Sequence, residues 1–313
     1  VAAALASGGV ATLAVAGAPA GPGGPENLSE PRRRAPAAAS GTTPPADALA
    51  AVVPSAPAST PAPTTSASTP PRRPDPLAAP LARARRITDS TAGWASFTLI
   101  DRRTGRTVGD ARSAELTNTE SVVKVWLAAD LLATAAEQGR KLGAYERQRM
   151  AAMIRASDDD AAEVFWRMLG SDASIKKMIE TCRLTDSQVS PEWWSLTQIS
   201  ARDIARLGAC LLPGRGRPLD ARASAELLGL MRTVEPSNAF GIQQAQPAGD
   251  GVRVAVKNGW TGHGGSGLWN VNCLGMWGEN TRWVLAVAVR YPIDRGLDYG
   301  AAVCRRVTTA LFP

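Results

Sequence analysis

The spacing of hydrophobic positions changes along this chain. Trp94-Ala95-Ser96-Phe97-Thr98-Leu99-Ile100 alternates like a strand, Asp101–Gly105 reads as a turn, and Thr107-Val108 starts a returning strand. From Thr117 the spacing turns helical. Val123, Leu127 and Leu131 recur on one face with Trp126 beside them, Thr117 and Glu120 stand as a capping box, and Gly139 marks a stop. Further helices are predicted over 144–155, Asp160–Leu169, 173–182, Thr197–Leu212 and Ala221–Val234, with a short first one over 81–88. Alternation then returns in Val252–Lys257, Leu268–Trp277 and Trp283–Tyr291, three strands joined by Gly-rich turns, and 297–311 closes as a helix. Two strands, a helical block, three strands and a helix predict one α/β domain whose first and last segments share a sheet.

The remaining residues change the picture at the N-terminus. Residues 1–18 carry no charge, and Ala18-Pro19-Ala20 offers a small-x-small cleavage site, the pattern of a secretory signal peptide over 1–20. The run is short and rich in Ala and Gly for a membrane anchor. Residues 21–80 are rich in Pro, Ala, Ser and Thr and read as an extended linker that cannot bury a core. The domain is therefore predicted over 81–313, outside the cytoplasm. The net charge is +7, of which +4 falls in residues 1–88. The globular part is only mildly basic, so nucleic-acid binding is not expected. The arginines of the tail are placed to hold an anionic cell-wall or membrane surface.

Ser121 and Lys124 stand three apart at a predicted helix start, and so share a face in its first turn. A serine hydroxyl becomes nucleophilic when a base takes its proton, and a neutral lysine amine can be that base. Free backbone N–H groups at the helix start, that of Ser121 included, can stabilise an oxyanion. Such a pair arises by chance about once in a few hundred residues. Two other stretches raise its weight. Ala156-Ser157-Asp158-Asp159-Asp160 lies at a later helix start, and Val256-Lys257-Asn258-Gly259-Trp260-Thr261-Gly262 at a strand end. Taken singly, Ser157 is also an ordinary N-cap, Lys257 a surface lysine, and Asp158 and Asp160 acids favoured by a helix dipole.

In this order the three stretches resemble the Ser-x-x-Lys, Ser-Asp-Asn and Lys-Thr-Gly boxes of class A β-lactamases and penicillin-binding proteins. With Trp269-Asn270-Val271-Asn272 added, the chain looks most like secreted serine hydrolases of actinobacteria within that superfamily. The resemblance implies a five-stranded antiparallel sheet flanked by helices plus an all-helical subdomain. It makes Ser121 the nucleophile, Lys124 its base and Ser157 the proton relay to the leaving nitrogen. Lys257 and Asn258 would hold a substrate carboxylate, Asp159 would contact the substrate amide, and the Trp260 N–H would complete the oxyanion hole. It implies no cofactor and no metal, and a monomer acting on a small β-lactam or a peptidoglycan peptide. Three departures stand out: Asp159 replaces Asn, Asn258 replaces Thr, and the first two boxes lie closer together than usual. Glu192, 35 residues after Ser157, stands near the place of a deacylation base, but its usual Asn partner is Leu196 and the loop is cut short by the Thr197 helix. The expected activity is acyl transfer to Ser121 with slow deacylation. The alternatives are a D-alanyl-D-alanine peptidase, or a wall-associated binding module without turnover.

Other signals lead elsewhere and fail. Gly262-His263-Gly264-Gly265-Ser266-Gly267 fits a dinucleotide fingerprint but opens no helix. His263 is the only histidine and reads as a loop residue. One histidine and no close Cys pair argue against a catalytic metal. Cys273 with Cys304, and Cys182 with Cys210, are placed to form disulfides in a secreted protein, four buried thiols being the other reading.

Overall fold

A computed structural model describes residues 75–191, 193–214, 216–249 and 252–313. The signal peptide expected over 1–20, most of the linker expected over 21–80, and Glu192 lie outside the described residues. α1 (Ala78–Asp89) begins inside the stretch read as linker. Pro80 sits in its first turn, where a missing N–H costs nothing, so it did not stop the helix.

The sheet is antiparallel, in the order β2-β1-β7-β6-β5. Its strands are β1 (Trp94–Asp101), β2 (Arg106–Gly109), β5 (Ala255–His263), β6 (Leu268–Trp277) and β7 (Trp283–Pro292). β1 pairs with β7 from Trp94↔Arg290 to Asp101↔Trp283, so the two ends of the domain do share the sheet. Both faces are covered. Ala95, Phe97 and Leu99 of β1 and Leu285, Val287 and Val289 of β7 join a core with α1 and α8 (Gly296–Leu311). The alternate positions, Trp94 and Ile100 with Val284, Ala286 and Ala288, join the core of the helical layer. Period-two alternation here separates two cores rather than core from water.

The helical layer surrounds α2 (Lys124–Glu137), of which Lys124, Asp130 and nine apolar residues are buried. A helix apolar on every side must be central. Around it lie α3 (Ala144–Arg155), α4 (Asp159–Met168), α5 (Asp172–Cys182) and α7 (Ala221–Arg232). Polar groups at the centre of this core are paired: the Trp126 indole N–H donates to the Ser174 carbonyl at 2.9 Å, and the Ser174 hydroxyl to Asp130 at 2.6 Å, whereas the indole N–H groups of Trp94 and Trp166 have no partner among the described residues.

Two expectations fail locally. The helix expected over Thr197–Leu212 is a short strand β4 (Gln198–Ser200), paired with β3 (Leu116–Asn118), followed by α6 (Ala201–Cys210). The Ser200 hydroxyl accepts from the Asp203 N–H at 3.0 Å and so sets the true helix start. Three-residue strands are too short for periodicity to reveal. The capping box also fails: Thr117 lies in β3, and the helix is entered through a 3₁₀ turn, Glu120–Val123.

Both disulfides form. Cys182–Cys210 ties α5 to α6 with Cα atoms 5.4 Å apart, and Cys273–Cys304 ties β6 to α8 at 6.4 Å. Each closes a loop whose entropy in the unfolded chain is worth roughly 3–4 kcal/mol. Replacing Cys182 and Cys210 by Ala is expected to lower unfolding free energy by roughly 2–4 kcal/mol. Denaturant titration with unchanged far-ultraviolet dichroism of the native state checks this, and an unmoved midpoint would show that the bridge adds nothing to stability.

Candidate active site

Three elements meet where the boxes predicted a site. The first is the 3₁₀ turn that carries Ser121 into Lys124 of α2. The second is the connection between α3 and α4. Here Asp158, not Ser157, is the N-cap, its carboxylate accepting from the Ala161 N–H at 2.6 Å. Ser157 instead takes a left-handed backbone, φ +60°. The third is β5, an edge strand that runs on past Lys257 to His263.

Lys124 is fully buried. Its Nζ donates to the Ser157 carbonyl at 2.5 Å and to Asp159 Oδ1 at 2.5 Å, and lies 3.3 Å from Ser157 Oγ. Lys257 is 2% exposed, and its Nζ donates to Ser157 Oγ at 2.8 Å and to the Asn258 carbonyl at 2.8 Å. The Ser157 hydroxyl therefore lies within reach of both amines. Burial pushes the Lys124 amine below its ordinary value, against the opposing pull of the Asp159 carboxylate. Burial, and then the charge of Lys124, hold Lys257 well below the usual lysine range. Two ammonium groups in one buried site repel, so loss of a proton from one relieves the other. The site thus favours a neutral amine, which is what a base must be.

Ser121 is half-buried, and among the described residues its hydroxyl has no hydrogen-bond partner. Its backbone is tightly held. Gly259 of β5 lies flat against the turn: a Cβ there would come within 2.6 Å of the Ser121 nitrogen and 2.7 Å of the Val122 nitrogen. Only glycine permits that approach. From β6, the Asn272 amide donates to the carbonyls of Asn118 at 2.7 Å and Thr119 at 3.2 Å. Glu120, just before Ser121, has φ +47°. Non-glycine backbone in this region costs about 1–3 kcal/mol per residue and persists only where the surroundings over-determine it.

The remaining candidates fall out differently. Asp159 is bonded to Lys124 although its side chain is 77% exposed. Asn258 is buried and donates to the carbonyls of Asn238 at 2.9 Å and Phe240 at 3.0 Å. Both its donor hydrogens are spent, so the role of holding a substrate carboxylate is corrected: Lys257 alone of that pair faces Ser157. Trp260 packs edge-on against Phe240 with ring centres 5.3 Å apart.

Four residues beside Ser121 were not singled out as site residues in the sequence reading. The Glu120 carboxylate is buried and accepts from Thr261 Oγ1 at 2.7 Å, His263 Nε2 at 2.7 Å and Asn270 Nδ2 at 3.2 Å. His263 is thus the end of β5, not a loop residue. The available signal was the period-two series Lys257, Gly259, Thr261, His263, which continues one strand face through the glycines. The buried Trp194 was also missed, and its ring lies 5.1 Å from Lys124 Nζ.

Comparison with known proteins agrees with this geometry. Residues 146–307 match the sequence model of the beta-lactamase enzyme family, a span that holds Ser157 and Lys257 and begins after Ser121. A Mycobacterium tuberculosis protein named "Putative lipoprotein LppW" is 32% identical over 240 residues, 74% of each chain, and a Mycobacterium bovis protein of the same name matches equally. Among solved structures, a beta lactamase from Burkholderia vietnamiensis superposes with TM-score 0.61 at 21% identity over 74% of this chain and 95% of that one. A class A beta-lactamase from Mycobacterium abscessus gives 0.57 at 17% identity over 74% and 97%. The structure titled PBP-A gives 0.60 at 19% identity over 75% and 96%. At such identity these likenesses are of fold. The family match, over more than half of the chain, shows that the chain belongs to the beta-lactamase enzyme family.

Proposed function

We propose that this protein is an active-site serine hydrolase of the cell envelope that takes the acyl group of a β-lactam or related amide onto Ser121 and releases it slowly. The observation that carries the reading is the Ser157 hydroxyl, 2.8 Å from the buried Lys257 amine and 3.3 Å from the buried Lys124 amine, beside the Ser121 turn. In the first step Ser121 Oγ bonds to the carbonyl carbon and its proton passes to the neutral Lys124 amine. The tetrahedral oxyanion takes the N–H groups of Ser121 and Trp260. As the C–N bond breaks, the Ser157 hydroxyl gives its proton to the leaving nitrogen and is re-supplied by the Lys124 ammonium. Lys257 meanwhile offers its amine N–H groups to a substrate carboxylate. The ester on Ser121 then awaits water.

That second step is poorly served. Between 193 and 198 the group turned toward Lys124 is the Trp194 indole, not a carboxylate, and Leu196 offers no hydrogen bond. Glu192 remains the candidate base, without the neighbour that would place its water. Misplacement of that kind costs about 10²-fold. One observation favours a second reading, a binding module on this fold without turnover: Asp159, 2.5 Å from Lys124, supplies a counter-charge that favours the ammonium over the base. The relatives' name supports an envelope location, as do two disulfides and the leader-like 1–20. Among the described residues no helix is long and apolar enough to cross a membrane. The tail arginines are suited to an anionic wall surface, and a D-alanyl-D-alanine peptide remains the alternative substrate.

Incubation with a fluorescent penicillin should give one covalent adduct, on Ser121, absent from Ser121→Ala and formed about 10²–10⁴-fold more slowly by Lys124→Ala. Nitrocefin should show a burst followed by slow turnover. An adduct on another residue would sink the assignment.

The pH dependence has a definite sign. Asp159 raises the Lys124 pKa against the lowering by burial. Removing its charge in Asp159→Asn should let the amine lose its proton at lower pH. The rising limb of the acylation rate against pH should therefore move downward, with faster acylation at neutral pH. A limb that stays in place in Asp159→Asn would show that this carboxylate does not govern the base.

A further inference from the structure

We infer that Glu120 and His263 form a positioning pair that holds the nucleophile's turn against β5, so that the Ser121 hydroxyl and the N–H groups of Ser121 and Trp260 keep reactive geometry. The inference rests on the serine-hydrolase reading of the same site. It starts from an oddity of placement. Glu120 is 2% exposed and adjoins Ser121 in the chain, yet neither of its oxygens turns to Lys124 or Ser157. The carboxylate turns instead to β5 and β6. Oε2 accepts the Thr261 hydroxyl, and Oε1 accepts from His263 Nε2 and Asn270 Nδ2.

The chemistry fixes the proton on the ring. An ionised carboxylate only accepts, so the 2.7 Å contact requires Nε2 to carry a hydrogen. The Asn118 amide nitrogen, 3.4 Å from the same Nε2, then faces a donor and takes no part. Three donors on one buried carboxylate leave it satisfied without a lysine.

The geometry gives the pair its task. Glu120 holds a left-handed backbone that nothing in its own turn favours, so the constraint comes from outside, through these three bonds. On β5, Thr261 and His263 follow Gly259 at period two on the face that meets the turn. Gly259 supplies close approach but no bond of its own side chain. Thr261 and His263 supply the bonds and so pin the strand to the residue before the nucleophile. Asn272 holds the other side of the turn through the Asn118 and Thr119 carbonyls. Cutting the carboxylate bonds frees the turn to relax its strained dihedral and carry Ser121 away from the Trp260 N–H. A displacement of that order costs about 10²-fold in rate while leaving substrate contacts elsewhere intact.

The test uses Glu120→Gln, Thr261→Val, His263→Gln and the double variants that add either of the last two to the first. Acylation by a fluorescent penicillin is resolved into noncovalent affinity and a first-order acylation step. In Glu120→Gln the acylation step should fall about 10²-fold with affinity within a few-fold of wild type. Thr261→Val and His263→Gln should lose less, and either should add little to Glu120→Gln, since all act through one carboxylate. His263 is the only histidine, so its imidazole gives a single assignable nuclear magnetic resonance signal. The wild-type Nε2–H should be slow to exchange, and that signal should be lost in Glu120→Gln. A folded Glu120→Gln that acylates at the wild-type rate, or losses that add fully, would overturn the pair. Should Glu120→Gln not fold, wild-type rates in both single β5 variants would overturn it equally. If the wild-type protein forms no adduct, the hydrolase reading fails by itself. The imidazole spectrum then decides the pair, which an unchanged signal in Glu120→Gln would refute.

Discussion

Two lysine amines buried beside one serine hydroxyl impose the constraint on which this molecule is built. Removing an ammonium group from water costs several kcal/mol, and two such groups in one site also repel. Lys124 and Lys257 are held there by fixed acceptors: the Ser157 carbonyl and hydroxyl, the Asn258 carbonyl and the Asp159 carboxylate. Apart from the Asn258 carbonyl, which adjoins Lys257 in the chain, each acceptor comes from a segment distant in sequence and is in place only when the fold is complete. The carboxylate paired with Lys124 is itself largely exposed, and Asp158 adds a weaker negative charge nearby. Burial lowers the basicity of both amines, and the charge of Lys124 lowers that of Lys257 further.

The architecture serves to bring the acceptors together. α2 is buried on every side because helices and sheet close around it, and this removes Lys124 from water. β5 is an edge strand with no partner strand beyond it, so its outer edge is free to lie along the Ser121 turn. Covalent links reinforce both layers, one between α5 and α6 and one between β6 and α8. Two of the residues with left-handed backbone, Glu120 and Ser157, lie where the layers meet, and each is held by bonds to another part of the chain.

Compared with the family's usual boxes, two changed residues have unequal consequences. Asn258 has become structural, its amide bonded to the Asn238 and Phe240 carbonyls, so its replacement of Thr removes a donor from the site. Asp159 places a full charge on Lys124, where an asparagine would place a dipole. The second change acts on the charge beside the Lys124 amine, and the first on which donors face Ser157.

The sequence by itself determined most of the element order and the sharing of one sheet by its first and last strands, offered the cysteine pairing as one of two readings, and singled out Ser121, Lys124, Ser157 and Lys257 as candidates. These follow from periodicity over long segments and from residue types whose chemistry is local to a short motif. Tertiary structure decided the rest. Glu120 looked like a capping residue because Thr117 stood three before it, yet its carboxylate is taken by Thr261, His263 and Asn270, whose donors arrive only when β5 and β6 are in register. Asn258 looked free to bind substrate, because no local pattern shows that the Asn238 and Phe240 carbonyls need its hydrogens. Ser157 could also be read as an N-cap, a role that Asp158 takes instead while the Ser157 hydroxyl faces the lysines. A side chain's partner across the fold depends on distances that the order of residues does not contain, and here those distances separate a capping acid from a carboxylate bonded to β5 and β6.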